Sequence, residues 1–262
     1  MIPRESCSYV RLPVTLLPRV LWQHIASWLQ GDTAIIRLRA TCRWLRRVEI
    51  HQLPDDMEWN ITAERLQSVA STLRHLNLDR NWKITNEMLQ DAFQQGRLEW
   101  LDVRETTITW FPSTLRHLDI RCNRNITNEM LQKAFDNDQC RLEWLSAHKT
   151  NITWFPSTLR HLDICRRTNV TNEMIQGCTN LEWLDVSCTA ITWFPSTLRH
   201  LNINCCGNVT NEMLQDCTRL EWLDASNTTI TWFPPTLRKL FIYHTDVTDE
   251  MLAHLKDCEI IR

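Results

Sequence analysis

Leucines recur along residues 71–262 with the spacing L-x-x-L-x-L, and the pattern returns at a nearly fixed period. Successive copies begin at steps of 42, 44, 39 and 39 residues, headed by Leu73, Leu115, Leu159, Leu198 and Leu237. A repeat of this length is typical of a stack of supersecondary units, in which each unit buries its apolar face against its neighbours. The pattern therefore predicts a solenoid rather than a closed globule.

Each period contains a long unit and a short unit, and their polar positions predict different elements. Apolar and polar residues alternate in segment 118–120, which predicts a strand with its apolar residues inward and Asp119 outward. In the long unit, Thr127 precedes an amphipathic run and predicts a helix N-cap. In the short unit, Pro156 follows Trp-Phe, which predicts an extended or 3₁₀ connection because proline stops a helix.

The full pattern, L-x-x-L-x-L-x-x-T/N/C-x-x-I, resembles the leucine-rich repeat, and nine copies of its leucine core cover about residues 71–262. The resemblance implies an α/β solenoid with parallel strands on a concave face and short helices or 3₁₀ turns on a convex face. It also implies that the residue three positions after each strand satisfies backbone groups where the chain turns inward. These residues are Thr106, Thr150, Thr189, Thr228 and Thr245 in short units, and Asn81, Asn123, Arg167 and Cys206 in long units. Arg167 departs from the pattern, and we expect it to loosen its turn.

Parallel strands would align the residue before the second leucine of each copy into one column. Read in order, this column is His75, Trp100, His117, Trp144, His161, Trp183, His200, Trp222 and Lys239. Two interpretations stay open: the rings stack and stabilise the sheet, or the tryptophans form a binding stripe. We expect no metal site, because a column supplies a row of donors and not a convergent set of ligands.

The residues just beyond each strand differ between copies, whereas the scaffold residues are nearly identical. Neutral drift and partner specificity both explain this difference. On the second interpretation, the concave face binds a protein substrate through the residues Trp100, Arg104, Arg121, Trp144, His148, Arg166, Trp183, Trp222 and Tyr243.

Residues 12–47 carry two apolar stripes at helical spacing, separated by Gly31-Asp32. This segment resembles an F-box on the match of Leu17-Pro18, Leu21, Ile25, Leu29, Asp32, Leu38, Cys42-Arg43 and Leu45-Arg46-Arg47. It departs from the family pattern at Arg19, where an acidic residue is usual, and at Trp44, which comes one place early. The alternative is a plain helical cap that covers the first repeat.

The F-box resemblance implies that the segment binds a Skp-type adaptor of a cullin ubiquitin ligase. The residues that would do so are Leu17, Pro18, Leu21, Ile25, Trp28, Leu29, Leu38, Cys42 and Leu45. We accordingly divide the chain into a tail (1–10), an all-α F-box-like module (11–50), a linker with a first capping or partial repeat (51–70), and about nine repeats, alternately long and short (71–262).

Charge supports two modules, because residues 1–50 carry a net charge of +5 and the remainder −7. The overall charge of −2 gives no argument for nucleic acid or membrane. No apolar run approaches the length of a membrane span, and the first residues do not read as a secretory signal. We therefore expect the eleven cysteines to be reduced thiols in a cytoplasmic or nuclear protein.

The chain contains none of the phosphate-loop, metalloprotease or nucleophile-elbow motifs that would indicate catalysis. We expect a non-enzymatic protein without a cofactor. Together the two resemblances imply the substrate-recognition subunit of a Skp–cullin–F-box (SCF) ubiquitin ligase, with a stand-alone interaction scaffold as the alternative. RNA binding through the tryptophans is a third possibility, which the acidic repeats disfavour.

Overall fold

The computed structural model describes residues 61–94, 97–167 and 169–262. The F-box-like module (11–50), its nine proposed adaptor-binding residues and the boundary near residue 50 lie outside the described residues. Predictions that concern them stay predictions.

The described region contains one parallel sheet of ten strands, which lie side by side in the order of the chain. The strands are β1 (His75–Asn77), β2 (Trp100–Asp102), β3 (His117–Asp119), β4 (Trp144–Ser146), β5 (His161–Asp163), β6 (Trp183–Asp185), β7 (His200–Asn202), β8 (Trp222–Asp224), β9 (Lys239–Phe241) and β10 (Glu259–Ile261). The nine copies of the leucine core predicted nine strands. The pattern missed β10, because this strand carries Glu-Ile-Ile in place of the leucine core.

The sheet is in register, and its middle residues form the core. Leu101 pairs with Leu118, and Leu145 pairs with Leu162. These leucines have no solvent exposure. Burying a leucine side chain contributes about 1.5–3 kcal/mol, so the repeated leucine is the main element that stacks one unit on the next.

The long units place helices after their strands, as predicted. Helix α1 (Ala63–Val69) precedes β1. The helices that follow strands are α2 (Asn86–Phe93), α3 (Asn128–Phe135), α4 (Asn172–Ile175), a 3₁₀ helix (Asn211–Leu214) and α5 (Asp249–Leu252). Threonine N-caps precede the last five, and Thr127 accepts a hydrogen bond from the Met130 N–H at 3.4 Å. No helix in the described ranges is long and apolar enough to cross a membrane.

The short units contain no helix after their strands, and each continues through its Trp-Phe-Pro segment without regular structure. Their phenylalanines lie in the core, where the Phe111 ring stacks on that of Phe135 at 6.3 Å between centroids. The prediction that no helix continues through the proline is confirmed.

The turn residues beyond the strands satisfy backbone groups as predicted. Thr106 donates its hydroxyl to the Val103 carbonyl at 2.8 Å and accepts the Ile108 N–H at 3.3 Å. In the long units, Asn123 donates to the Ile108 carbonyl at 2.8 Å. Side chains thus replace the missing backbone partners where the chain leaves the sheet.

Candidate functional site

The first and third residues of each strand form one surface, here called the ladder face. Its first column is the predicted His/Trp column from His75 to Lys239, and its third-position column runs Asn77, Asp102, Asp119, Ser146, Asp163, Asp185, Asn202, Asp224 and Phe241. The register confirms the predicted column, because Trp144 pairs with His161, and it aligns the third positions in the same way, because Ser146 pairs with Asp163. The candidate site is therefore a continuous row of equivalent positions.

The rings of the first column stack most closely in the middle of the sheet. His161 and Trp183 lie 3.7 Å apart between centroids with an interplanar angle of 6°, and Trp144 and His161 lie 4.8 Å apart. The pairs His75–Trp100 and His117–Trp144 are wider, at 6.4 and 6.3 Å. This geometry favours the stacking interpretation, and the half-buried tryptophans still present ring surface to a partner.

Stacking keeps the histidines in the middle of the ladder face uncharged. Burial between two tryptophans lowers the pKa of His161 from its usual value to about 3, against an opposing effect of Asp163. Burial also lowers the pKa of His117. At neutral pH these imidazole rings are therefore uncharged.

Carboxylates of the second and third strands lie beneath two arginines. Asp119 was expected to face solvent, but it is only 3% exposed, and the equivalent Asp102 is only 2% exposed. Arg104 donates its Nε to both Asp102 oxygens at 3.0 and 2.8 Å, and Arg121 donates its Nη2 to Asp119 Oδ2 at 2.6 Å. The alternation placed both aspartates on the correct face, and the covering arginines explain why the expected exposure was wrong.

This pairing changes the role predicted for Arg104 and Arg121. Arg104 also lies 3.4 Å from Asp79 and 3.6 Å from Asp119, so it links three adjacent strands. Burial raises the pKa of Asp102, while its hydrogen bonds with Arg104 lower it. Because both arginines already hold carboxylates of their own chain, they have less capacity to bind an acidic partner.

The later strands leave their carboxylates without such cover. Within residues 97–167 and 169–262, no basic side chain forms an ion pair with Asp163, Asp185 or Asp224. Ser146 donates to Asp163 at 2.7 Å, and Asn202 donates to Asp185 at 3.0 Å. The later half of the ladder face therefore combines carboxylates with tryptophan rings.

Three potential metal ligands converge in this half, although a column was expected to supply only a row. One ligand atom from each of Asp163, Cys165 and Asp185 lies within 4.8 Å of the others. Burial and the neighbouring Asp163 raise the pKa of the Cys165 thiol to about 12, which opposes the thiolate form that metals bind. We assign no metal to this group, and the absence of a metal stays a prediction.

Comparison with known proteins agrees with this geometry. A profile of the Leucine Rich repeat family matches residues 69–87 and 112–130. An internalin from Listeria monocytogenes has a similar fold, with a TM-score of 0.55, 19% identity, and coverage of 75% of this chain and 62% of that one. An LRR protein of Leptospira interrogans gives a TM-score of 0.52 at 16% identity, with 75% and 62% coverage.

The chain therefore has the fold of leucine-rich repeats. A further similar structure is the TLR13–ssRNA13 complex, with a TM-score of 0.52, 15% identity, and coverage of 78% of this chain and 34% of that one. The chain spans less than two thirds of each of these solved chains. No curated protein matches it in sequence.

The other predicted contact residues lie just beyond the strands. Tyr243 is 43% exposed, Arg166 is exposed, and His148 is half-buried. The His148 Nε2 atom has no hydrogen-bond partner in the described part of the chain, and burial lowers its pKa. These residues flank the ladder face in the turns, so they would contact the edge of a partner and not its centre.

Sequence reasoning missed two features of this surface. Phe241 belongs to the third-position column, where its ring lies 5.2 Å from that of Trp222 and 5.4 Å beneath Lys239 Nζ. The second residue of each turn adopts a positive φ between 51° and 61°, at Arg80, Glu105, Cys122, Lys149, Arg166, Cys188, Cys205, Asn227 and His244. Strand alternation would have found Phe241, whereas the absence of glycine at the turns concealed their left-handed conformation.

Proposed function

We propose that this protein is a non-catalytic interaction protein that binds another protein on its ladder face. The observation that carries the proposal is the continuous column of tryptophan and histidine rings on a rigid, fully paired sheet. Tryptophan is enriched at the energetic centres of protein interfaces. A surface already held in place by backbone hydrogen bonds and ring stacking also loses little conformational entropy when a partner binds.

The charges of the ladder face favour a partner with basic side chains. Asp163, Asp185 and Asp224 alternate with aromatic rings in the later strands, where Trp183 and Trp222 lie in the neighbouring column. An arginine or lysine could donate hydrogen bonds to a carboxylate and pack its charge over an indole ring. We therefore expect the partner to present a basic segment.

The same carboxylates disfavour a nucleic acid as the partner. One similar structure is described as a complex with ssRNA. Phosphate groups require lysine or arginine to neutralise them, but Arg104 and Arg121 are already paired with Asp102 and Asp119. We expect this protein to bind protein rather than RNA.

A more specific function rests on the F-box-like segment. We propose that residues 11–50 bind a Skp-type adaptor, so that the chain acts as the substrate-recognition subunit of an SCF ubiquitin ligase in the cytoplasm or nucleus. The repeats would hold a substrate close to the ubiquitin-charged enzyme and raise its effective concentration. The alternative is an interaction scaffold with no role in ubiquitin transfer.

The ladder-face proposal is tested by removing single carboxylate charges. Once cross-linking of the full-length chain in cells has identified a partner, its Kd is measured with Asp163→Asn and Asp224→Asn. Loss of one charge-assisted hydrogen bond should weaken binding about tenfold and leave the thermal transition in place. The control is Asp91→Asn on α2, an exposed position outside the ladder face. Equal effects of all three variants would exclude this surface.

The adaptor proposal requires a separate measurement. Full-length protein is purified from cells together with its partners, in parallel with a Leu21→Arg/Ile25→Arg variant. Recovery of a Skp-type adaptor and a cullin with the wild type, and their loss in the variant, supports a ligase subunit. If neither is recovered with the wild type, the protein is a stand-alone scaffold.

A further inference from the structure

Two exposed cysteines occupy equivalent turns of neighbouring repeats. Cys188 follows β6 and Cys205 follows β7, each as the second residue of its turn. Both thiols are free and exposed, and both residues have positive φ values, of 56° and 60°. No other pair of adjacent turns in the described region carries cysteine at this position.

The backbone holds these two residues level with each other. The Val186 N–H donates to the Asn202 carbonyl at 3.0 Å, and the Cys188 N–H donates to the Asn204 carbonyl at 2.8 Å. The ladder therefore continues past the strands and makes Cys188 the parallel partner of Cys205. Neighbouring parallel strands lie about 4.8 Å apart, within the range of about 4.4–6.8 Å that joins the Cα atoms of a disulfide.

Side chains at this position do reach across to the next turn. In the first two turns, Arg80 Nε lies 3.0 Å from Glu105 Oε2. For the cysteines, partial burial raises the pKa of Cys205, and so do its interaction and hydrogen bond with the Cys188 thiol. The two thiols thus lie in neighbouring, aligned turns and interact with each other.

Four other cysteines of the described region are poorly placed for this chemistry. Cys178, Cys206 and Cys217 are buried in the core. Cys122 occupies the same turn position as Cys188, but its neighbours in the column are Glu105 and Lys149. It therefore has a comparable backbone without a second thiol and serves as an internal control.

We propose that Cys188 and Cys205 are a modification site, a dithiol that small-molecule disulfides such as oxidised glutathione convert reversibly into an inter-repeat disulfide. The thiolate of one cysteine attacks the small disulfide, which forms a mixed disulfide and releases one small thiolate. The thiolate of the second cysteine then attacks the protein sulfur of that mixed disulfide and releases the second small thiolate. Two protein thiols are oxidised, one small disulfide is reduced to two thiols, and the two protons pass to the released thiolates.

The new bond would close a short loop of the chain and add a covalent link between two turns that now interact only through non-covalent contacts. Closing a loop restricts the unfolded chain, so oxidation should raise the thermal midpoint by several degrees. It would also fix the edge of the ladder face beside Ser187 and Asn204, the residues that precede the two cysteines.

The test incubates the purified full-length chain with oxidised glutathione at pH 8 and maps its cysteines by mass spectrometry. Cleavage after Glu182, Arg199 and Glu212 separates Cys188 and Cys205 from Cys178 and Cys217, and fragmentation distinguishes Cys205 from Cys206. We expect a Cys188–Cys205 cross-link that dithiothreitol reverses, and a stable glutathione adduct on Cys122.

Single-thiol variants make the result decisive. In Cys188→Ser and Cys205→Ser, the remaining cysteine should stop at the glutathione adduct and the rise in thermal midpoint should disappear. Cys122→Ser should leave the cross-link unchanged. Stable adducts on both Cys188 and Cys205 of the wild type, a Cys205–Cys206 bond, or no reaction at either site would each overturn the proposal.

Discussion

Arg167 is a residue whose size and charge conflict with its position. It is only 2% exposed in the turn column that Asn81 and Asn123 also occupy. Its Nη2 group donates to the Ile152 carbonyl, but its Nε and Nη1 atoms have no partner in the described ranges. Burial lowers its pKa to about 10. This buried and incompletely paired cation therefore destabilises the folded state.

Replacing this arginine should stabilise the protein. In Arg167→Asn, the amide could donate to the Ile152 carbonyl as Asn123 donates to Ile108. We expect the free energy of unfolding to rise by about 1–3 kcal/mol, measured by urea denaturation. Arg124→Asn, at an exposed position, should change it by less than about 0.5 kcal/mol. A destabilised Arg167→Asn variant would mean that the guanidinium is better satisfied than its contacts indicate.

The lowered pKa of His161 predicts that the stability of the protein depends on pH. The His161 pKa of about 3 in the folded protein lies below the ordinary value of 6.5 that we assign to the unfolded chain. The unfolded state therefore binds the proton first as the pH falls. Stability from this group is complete above about pH 6.5 and declines as the pH falls towards 3. The charged and titratable groups that influence the ring are Asp163, His117 and His200.

When the pH falls from 7 to 5, the titration of His161 alone should lower the free energy of unfolding by about 2 kcal/mol. The measurement is urea denaturation of the wild type and His161→Phe at both values. Phenylalanine keeps an aromatic ring between Trp144 and Trp183 and removes the titration. The His161→Phe variant should therefore lose less stability than the wild type over this pH change, by the same amount. An identical loss in both proteins would show that the imidazole ring is not excluded from water as its stacking indicates.

At the scale of elements, one asparagine in each of four repeats joins the start of a helix to the next short unit. Asn128 at the start of α3 accepts the N–H groups of Thr153 and Trp154 at 2.7 and 3.1 Å and donates to the Thr153 hydroxyl at 2.8 Å. Asn86, Asn172 and Asn211 make the same three contacts with their own short units. This contact fixes the irregular Trp-Phe-Pro segment, which has no secondary structure of its own.

Removing one asparagine should therefore release one short unit. Asn128→Ala leaves two partly buried N–H groups without a partner, and we expect unfolding free energy to fall by about 1–3 kcal/mol. Asn128→Asp keeps both acceptor contacts and should cost less. The exposed Asn151, changed to alanine, should have an effect below about 0.5 kcal/mol. Similar losses at Asn128 and Asn151 would assign the effect to the unfolded chain instead.

The elements show how far sequence reasoning extends. Strand register, the His/Trp column and the threonine caps follow from period and alternation, because those signals are repeated in each unit. The asparagine contact was missed because a helix start already accounts for the T-N-E-M sequence. Nothing in that sequence indicates a contact with a residue 25 positions later. The burial of Asp119 was missed for a related reason: it depends on which way the Arg121 side chain turns, and sequence spacing does not specify that.

At the scale of the whole described region, the parallel sheet follows chain order, so each unit contacts mainly its sequence neighbours. Stability in such a stack is approximately a sum of unit terms and nearest-neighbour terms. A change in one unit should therefore weaken the structure locally before it weakens it globally. A closed globule with one core would respond uniformly.

Hydrogen exchange can separate these two cases. Leu145 on β4 has no solvent exposure, so Leu145→Ala should cost about 2–5 kcal/mol. We expect amide protection to fall most in β3, β4 and β5, and much less in β8 and β9. The equivalent Leu223→Ala change on β8 should move the loss of protection to β7, β8 and β9, because β8 pairs with those neighbours. If either variant lowers protection equally in all strands, the repeats unfold as one cooperative unit, and coupling along the sheet is stronger than nearest-neighbour packing provides.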